Sequence, residues 1–165
     1  MRRNNLILVL VVLLLTIGAL VYVHLNFSKT GILLNHGLSK ENIKLTTENG
    51  NTKFYFYEKN KEIGLLAMRK RNGPGWIFYT DNRILIDDKT GTIKTVYPTI
   101  KNGAAVARSV WGGVVKDATS ANIIVKINGM EYQPNLLTYK KNDSLYFLID
   151  TDKVDKSDFM TIELQ

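Results

Sequence analysis

An unbroken apolar run from Leu6 to Leu25, preceded by Arg2 and Arg3, constrains this chain more than any other feature. Its only side chains with polar atoms are Thr16, Tyr22 and His24, and none carries a formal charge at neutral pH. A helix of about 20 residues rises about 30 Å, the thickness of a bilayer's hydrocarbon core. The run is therefore expected to form a transmembrane helix over residues 6–25, with the lipid bilayer as its partner. The apolar stretch of a secretory signal is shorter, about 7–15 residues, and ends at a small-x-small cleavage site. Residues Tyr22 to Phe27 offer no such site, and the nearest, Ile17-Gly18-Ala19, lies inside the run. Secretion after cleavage near Ala19 is the alternative. The chain has no cysteine, so a lipoprotein signal is excluded.

Orientation follows from positive charge near the membrane, which is retained on the cytoplasmic side. Arg2 and Arg3 adjoin the apolar run, whereas beyond it only Lys29 lies comparably near, before Lys40 and Lys44. The expectation is a cytoplasmic tail of residues 1–5, with everything after about residue 26 outside the cell membrane. Tyr22 and His24 suit the polar-aromatic fringe of the outer interface. Thr16 and Gly18 do not make the Gly-x-x-x-Gly spacing of a dimerising helix. Function is thus expected in the external part.

That part has the length of one ordinary domain, enough to bury a core without cross-links. The missing cysteines rule out a disulfide framework, cysteine nucleophiles and ordinary structural zinc. The net charge of +7 is unevenly placed. Between Lys29 and Lys116 fifteen basic residues stand against seven acidic ones, while from Asp117 onward five stand against eight. A basic half outside a membrane would meet anionic headgroups or anionic wall polymers, unless its charges are only the wet face of strands. Arg69-Lys70-Arg71 is the one basic triplet, and it runs straight into the turn Asn72-Gly73-Pro74-Gly75. No nucleic-acid motif surrounds it, so nucleic acid is not an expected partner.

Residues 26–51 read as an irregular stalk, with a helical turn near Ser39–Asn42. Strand signals then dominate over 52–165. Phe54–Tyr57, Ile63–Met68, Trp76–Tyr79, Ile84–Ile86, Thr92–Tyr97, Ala104–Val115, Ile123–Ile127, Met130–Leu137, Thr138–Lys140, Leu145–Asp150 and Phe159–Leu164 have β-branched and aromatic content. Turns are expected at Glu58–Glu62, Thr80–Arg83, Asp87–Gly91, Asn128-Gly129 and Lys141–Ser144. Asn-Gly is the firmest of these, because both residues tolerate the left-handed backbone of a type I′ hairpin. Gly112-Gly113 after Trp111 suggests a bulge or a close backbone approach. No helical period persists after residue 50, so the fold class is mainly β: a transmembrane helix followed by an antiparallel β-sandwich-like domain. A break at residues 98–103 is where two small β units would divide, although one domain is preferred.

The residues exclude more chemistry than they suggest. Of the two histidines, His24 sits at the membrane edge and His36 in the stalk, so a Ser-His-Asp hydrolase or His-ligated zinc would have to be built on His36 alone. Asp87 and Asp88 are paired carboxylates, but a hairpin loop favours Asp for its turn geometry. The acidic run Asp150–Asp158 departs from a hand-type calcium loop, which wants Gly at the sixth position and Glu at the twelfth; here those are Asp155 and Thr161. No catalytic residue, metal ligand or cofactor is expected. Trp76 and Trp111 could line a sugar- or peptide-binding face, although tryptophan in a β domain more often packs.

Two stretches, the run Lys53–Tyr79 with its "EKNKEIGLLAMRK" and "VWGGVVKDATSANIIVKINGMEY" from Val110 to Tyr132, resemble small exported proteins of Gram-positive bacilli. The resemblance implies an N-terminal anchor and a β-rich extracytoplasmic domain, and it carries no catalytic residues with it. The Lys- and Asn-rich, Pro-poor composition agrees with such a source. The expected function is therefore binding at the cell envelope, to a protein partner or an anionic wall polymer, through Arg69, Lys70 and Arg71 with Trp76 and Trp111. A carboxylate-dependent enzyme acting on wall glycans, or an accessory subunit of a membrane complex, are the other readings.

Overall fold

The computed structural model describes residues 2–86, 90–101, 103–118, 123–131, 136–152 and 160–164. An apolar helix, α1 (Arg2–Phe27), leads into a short helix, α2 (Lys29–Asn35). The strands that follow are β1 (Ile43–Asn49), β2 (Thr52–Lys59), β3 (Glu62–Lys70), β4 (Trp76–Leu85), β5 (Thr90–Lys101) and β6 (Ala104–Val115). After them come β7 (Ile123–Ile127), β8 (Met130–Glu131), β9 (Leu136–Lys141), β10 (Ser144–Thr151) and β11 (Met160–Leu164). They pair antiparallel in three sheets, ordered β1-β2-β3-β4, β5-β6-β10-β9 and β11-β7-β8. The protein is mainly β with an N-terminal apolar helix, as the sequence led one to expect.

Helix α1 is long and apolar enough to cross a membrane, and its side chains from Ile7 to Val23 are exposed. Such a helix could serve as an anchor or as a signal sequence. The rest of the chain organises itself around strands that are apolar on both faces. In β3, Ile63, Leu65 and Ala67 join Phe54, Phe56, Ile93, Tyr97, Val110, Val114, Tyr146 and Leu148 in one buried cluster drawn from the first and second sheets. The alternate residues Leu66 and Met68 pack with Tyr55, Tyr57, Ile32 and Leu38. This explains why β2, β3 and β10 read as continuous apolar runs rather than alternating ones: each has a buried neighbour on both sides. Val125, Ile123 and Phe147 form a further cluster where the third sheet meets the second.

Four expectations need correction. The supposed stalk holds α2 and β1, and Ile32 and Leu38 are buried against the first sheet; a helix of seven residues is too short to leave a clear period. Thr80–Arg83 is no turn but the middle of β4, with a slip in register between Ala67 and Met68 opposite. Its turn-forming side chains are spent elsewhere: Asn82 Nδ2 donates to Lys94 O at 3.2 Å and to Thr95 Oγ1 at 2.9 Å. Pro98 does not break β5, which runs on to Lys101; β5 is an edge strand, where a missing N–H costs no ladder bond. Gly112-Gly113 makes no bulge, since β6 and β10 pair without interruption; a Cβ on Gly112 would lie 2.5 Å from the Phe56 ring. The close-approach reading is the one that holds. The Asn128-Gly129 turn has the positive φ values expected of it, 53° and 78°. Asp87, Asp88 and the run 153–159 lie outside the described residues.

Candidate functional site

The basic triplet lies where α1 meets the β domain. Ser28 caps α2 by accepting from Gly31 N at 2.8 Å, and its own N–H donates to His24 O, so α2 begins at the foot of α1. From there β3 and β4 present their connecting turn to the helix end. The Arg71 guanidinium sits 4.6 Å over the Phe27 ring, and Lys29 Nζ sits 4.3 Å over the Trp76 ring. Both are cation–π contacts of the kind worth about 0.5–1 kcal/mol when exposed. Between helix and turn lies an open groove of about 470 Å³, walled by Leu20, Val23, His24 and Phe27 on one side and Arg71, Pro74 and Gly75 on the other.

The other hairpin ends gather at the same place. Lys70 N donates to Asn51 O at 2.7 Å, which ties the β1–β2 turn to the β3–β4 turn. Gly50 in turn lies beside Thr99 of β5. Ile100, 77 % exposed, and the exposed Lys101 follow at the far end of that strand. Asn49, Gly50, Asn51, Thr52, Arg69, Pro98, Thr99, Ile100 and Ala105 enclose a cleft of about 310 Å³ here. Arg69 shares the face of β3 that carries Ile63, Leu65 and Ala67, the face shared with the second sheet. Its guanidinium lies 4.6 Å over the Tyr79 ring. Its Nη2 is buried and has no hydrogen-bond partner among the described residues.

Three carboxylates are held inside clusters of cations and phenols. Asp81 accepts from Tyr57 Oη at 2.7 Å and Arg83 Nε at 2.9 Å, with His36 Nδ1 at 3.2 Å. The His36 ring stacks on Phe78, centroids 4.4 Å apart. Asp150 accepts from Tyr97 Oη at 2.9 Å, Arg108 Nε at 3.0 Å and Asn49 Nδ2. Glu58 accepts from Lys116 Nζ and Tyr146 Oη. Burial alone would raise the Glu58 carboxyl, but those two hydrogen bonds and the charges of Lys116 and Lys44 hold it below the usual range. Burial and the adjoining carboxylate push the Tyr57, Tyr97 and Tyr146 phenols up, so each stays a proton donor. Tyr146, which holds Glu58, and Asp150 are four residues apart on β10, roughly 13 Å along a strand.

Of the residues singled out from sequence, Arg69, Lys70, Arg71 and Trp76 are brought together at the helix-proximal end. Trp111 is not with them. It is 6 % exposed, packs with Ile127 and Ile149, and donates from Nε1 to Ser109 Oγ at 3.0 Å, a packing tryptophan with its polar edge satisfied. Phe27, which lies under Arg71, and Lys29, which lies over Trp76, were not singled out, whereas Tyr79, under Arg69, was legible as an aromatic of the same strand as Trp76. Only the position of Phe27 and Lys29 just after the apolar run pointed to them. No family model, curated protein or solved structure matches this chain.

Proposed function

We propose that this is a single-pass membrane protein whose external β-sandwich domain binds anionic envelope material through its helix-proximal basic edge. Residues 6–25 would lie in the bilayer, residues 1–5 in the cytoplasm and the β domain outside. The observation that carries this reading is the pairing of Arg71 with Phe27 and of Lys29 with Trp76 at the end of α1. A bilayer-spanning α1 would set those cations and aromatics at headgroup level, where amphipathic rings and basic side chains are favoured. The buried cluster shared by the first two sheets supports the sandwich.

Lys40→Cys gives the chain a unique exposed thiol, since it has no native one. A membrane-impermeant maleimide is expected to label it on intact cells, and the purified protein is expected to retain its first 27 residues. Labelling only after lysis would overturn the topology, and a product shed without α1 would overturn the anchor. Each basic residue near an anionic surface contributes about 1 kcal/mol, so Lys70→Gln with Arg71→Gln is expected to weaken binding to anionic vesicles roughly thirtyfold. Unchanged binding would remove this edge as the contact surface.

A further inference from the structure

The cleft beside Arg69 is distinct from the helix-end groove, and its chemistry is specific. Arg69 is a cation on the inward face of β3, at the open end of the cluster that the first two sheets share. Its guanidinium carbon lies 4.6 Å from the centre of the Tyr79 ring. Burying a guanidinium N–H without an acceptor is costly, and a buried unsatisfied donor in a folded protein calls for an explanation such as a bound water or ion. Asp150 does not answer it, because that carboxylate is already matched by Arg108 and Tyr97. Arg69 forms no ion pair with any described residue. An anion seated in the cleft would give that guanidinium charged acceptors.

We propose that this cleft is a binding site for a phosphate ester on a small hydroxylated carrier, with Arg69 as its anchoring group. The guanidinium fork matches a phosphate in geometry as well as charge. Asn51, Thr52 and Thr99 add amide and hydroxyl groups to the wall, suited to the carrier's hydroxyls, while Pro98, Ile100 and Ala105 supply apolar contact. The volume of about 310 Å³ takes a three-carbon or sugar phosphate but not an extended chain, so a polymer would enter by one terminal or looped unit. A phosphate dianion offers the guanidinium fork more charge than a carboxylate does. The inference goes beyond the proposed function, since it does not depend on where α1 lies or on whether vesicles bind.

Calorimetric titration of the full chain in maltoside micelles with glycerol 1-phosphate tests it. Saturable one-to-one binding is expected, with none for glycerol and at least tenfold weaker binding for glycerate, the carboxylate counterpart. Arg69→Gln is expected to lose at least tenfold in affinity, Arg69→Lys less, and Thr99→Val a few-fold. Near-ultraviolet circular dichroism checks that each variant is folded, and Thr99→Val at the rim keeps the test available if Arg69→Gln is not. Displacement by a glycerol-phosphate oligomer would identify a polymer as the source, and its failure a free ester; either result supports the site. Equal affinity in a folded Arg69→Gln protein, or glycerate binding as tightly as the phosphate, would overturn it.

Discussion

Glu58 illustrates how one side chain can tie distant parts of the chain. It leaves β2 in the first sheet and meets Lys116 and Tyr146, which follow or belong to strands of the second. Because its carboxyl titrates lower in the folded chain than in the unfolded one, the stabilisation is present above the unfolded value and is lost as pH falls through the folded value. Glu58→Gln is therefore expected to cost about 1–2 kcal/mol near neutral pH and to flatten the acid limb of stability. Denaturant unfolding at a series of pH values reads both effects; an unchanged acid limb would show that Glu58 is not the titrating group. Gly112 makes the complementary point. Its missing side chain lets the Phe56 ring of the opposite sheet come close, so a glycine read from sequence as local punctuation is a requirement of tertiary packing. The Asn128-Gly129 turn was legible because its cause is local. Asp81 was not, because His36 and Tyr57 reach it from 45 and 24 residues away.

At the scale of elements, local pattern succeeded where a strand's environment is uniform and failed where tertiary partners override it. The doubly buried strands β2, β3 and β10 announce themselves as runs of large apolar residues. By contrast, Thr80-Asp81-Asn82-Arg83 carries turn formers, yet each of the central pair is committed to a distant partner and the strand continues. Helix α2 was hidden by its length and by its dependence on neighbours. Its placement rests on Gly31, where a Cβ would lie 2.0 Å from His24 O, so only glycine lets α2 begin against the end of α1. Gly31→Ala must push the two helices apart, since the atom it meets is backbone. The expected result is a loss of about 1–3 kcal/mol and a change in Trp76 fluorescence, because the Lys29 contact over that ring depends on where α2 starts. A Gly31→Ala protein with unaltered stability and emission would mean that the junction is loose.

Considered whole, the molecule brings the triplet Arg69-Lys70-Arg71 and Lys29 together at one end, where α1 meets the first sheet. The uneven charge visible in the sequence suggested a basic surface but not where it lies. The fold supplies that, by setting the turn after β3 against the foot of α1 and tying the turn after β1 to it. If that end rests on an anionic bilayer, the exposed turn Arg71–Pro74 is shielded by the membrane itself. Trypsin is expected to cut after Arg71 in detergent-solubilised full-length protein and to cut slowly when the same chain is reconstituted, domain outward, in bilayers rich in anionic lipid. In zwitterionic bilayers the protection should be weaker. Raising salt to about 1 M, where the screening length falls to about 3 Å, should make the two bilayers alike. Protection that ignores both headgroup charge and salt would be steric, from the helix alone. Equal cutting in detergent and in anionic bilayers would show that the hairpin ends stand clear of the surface.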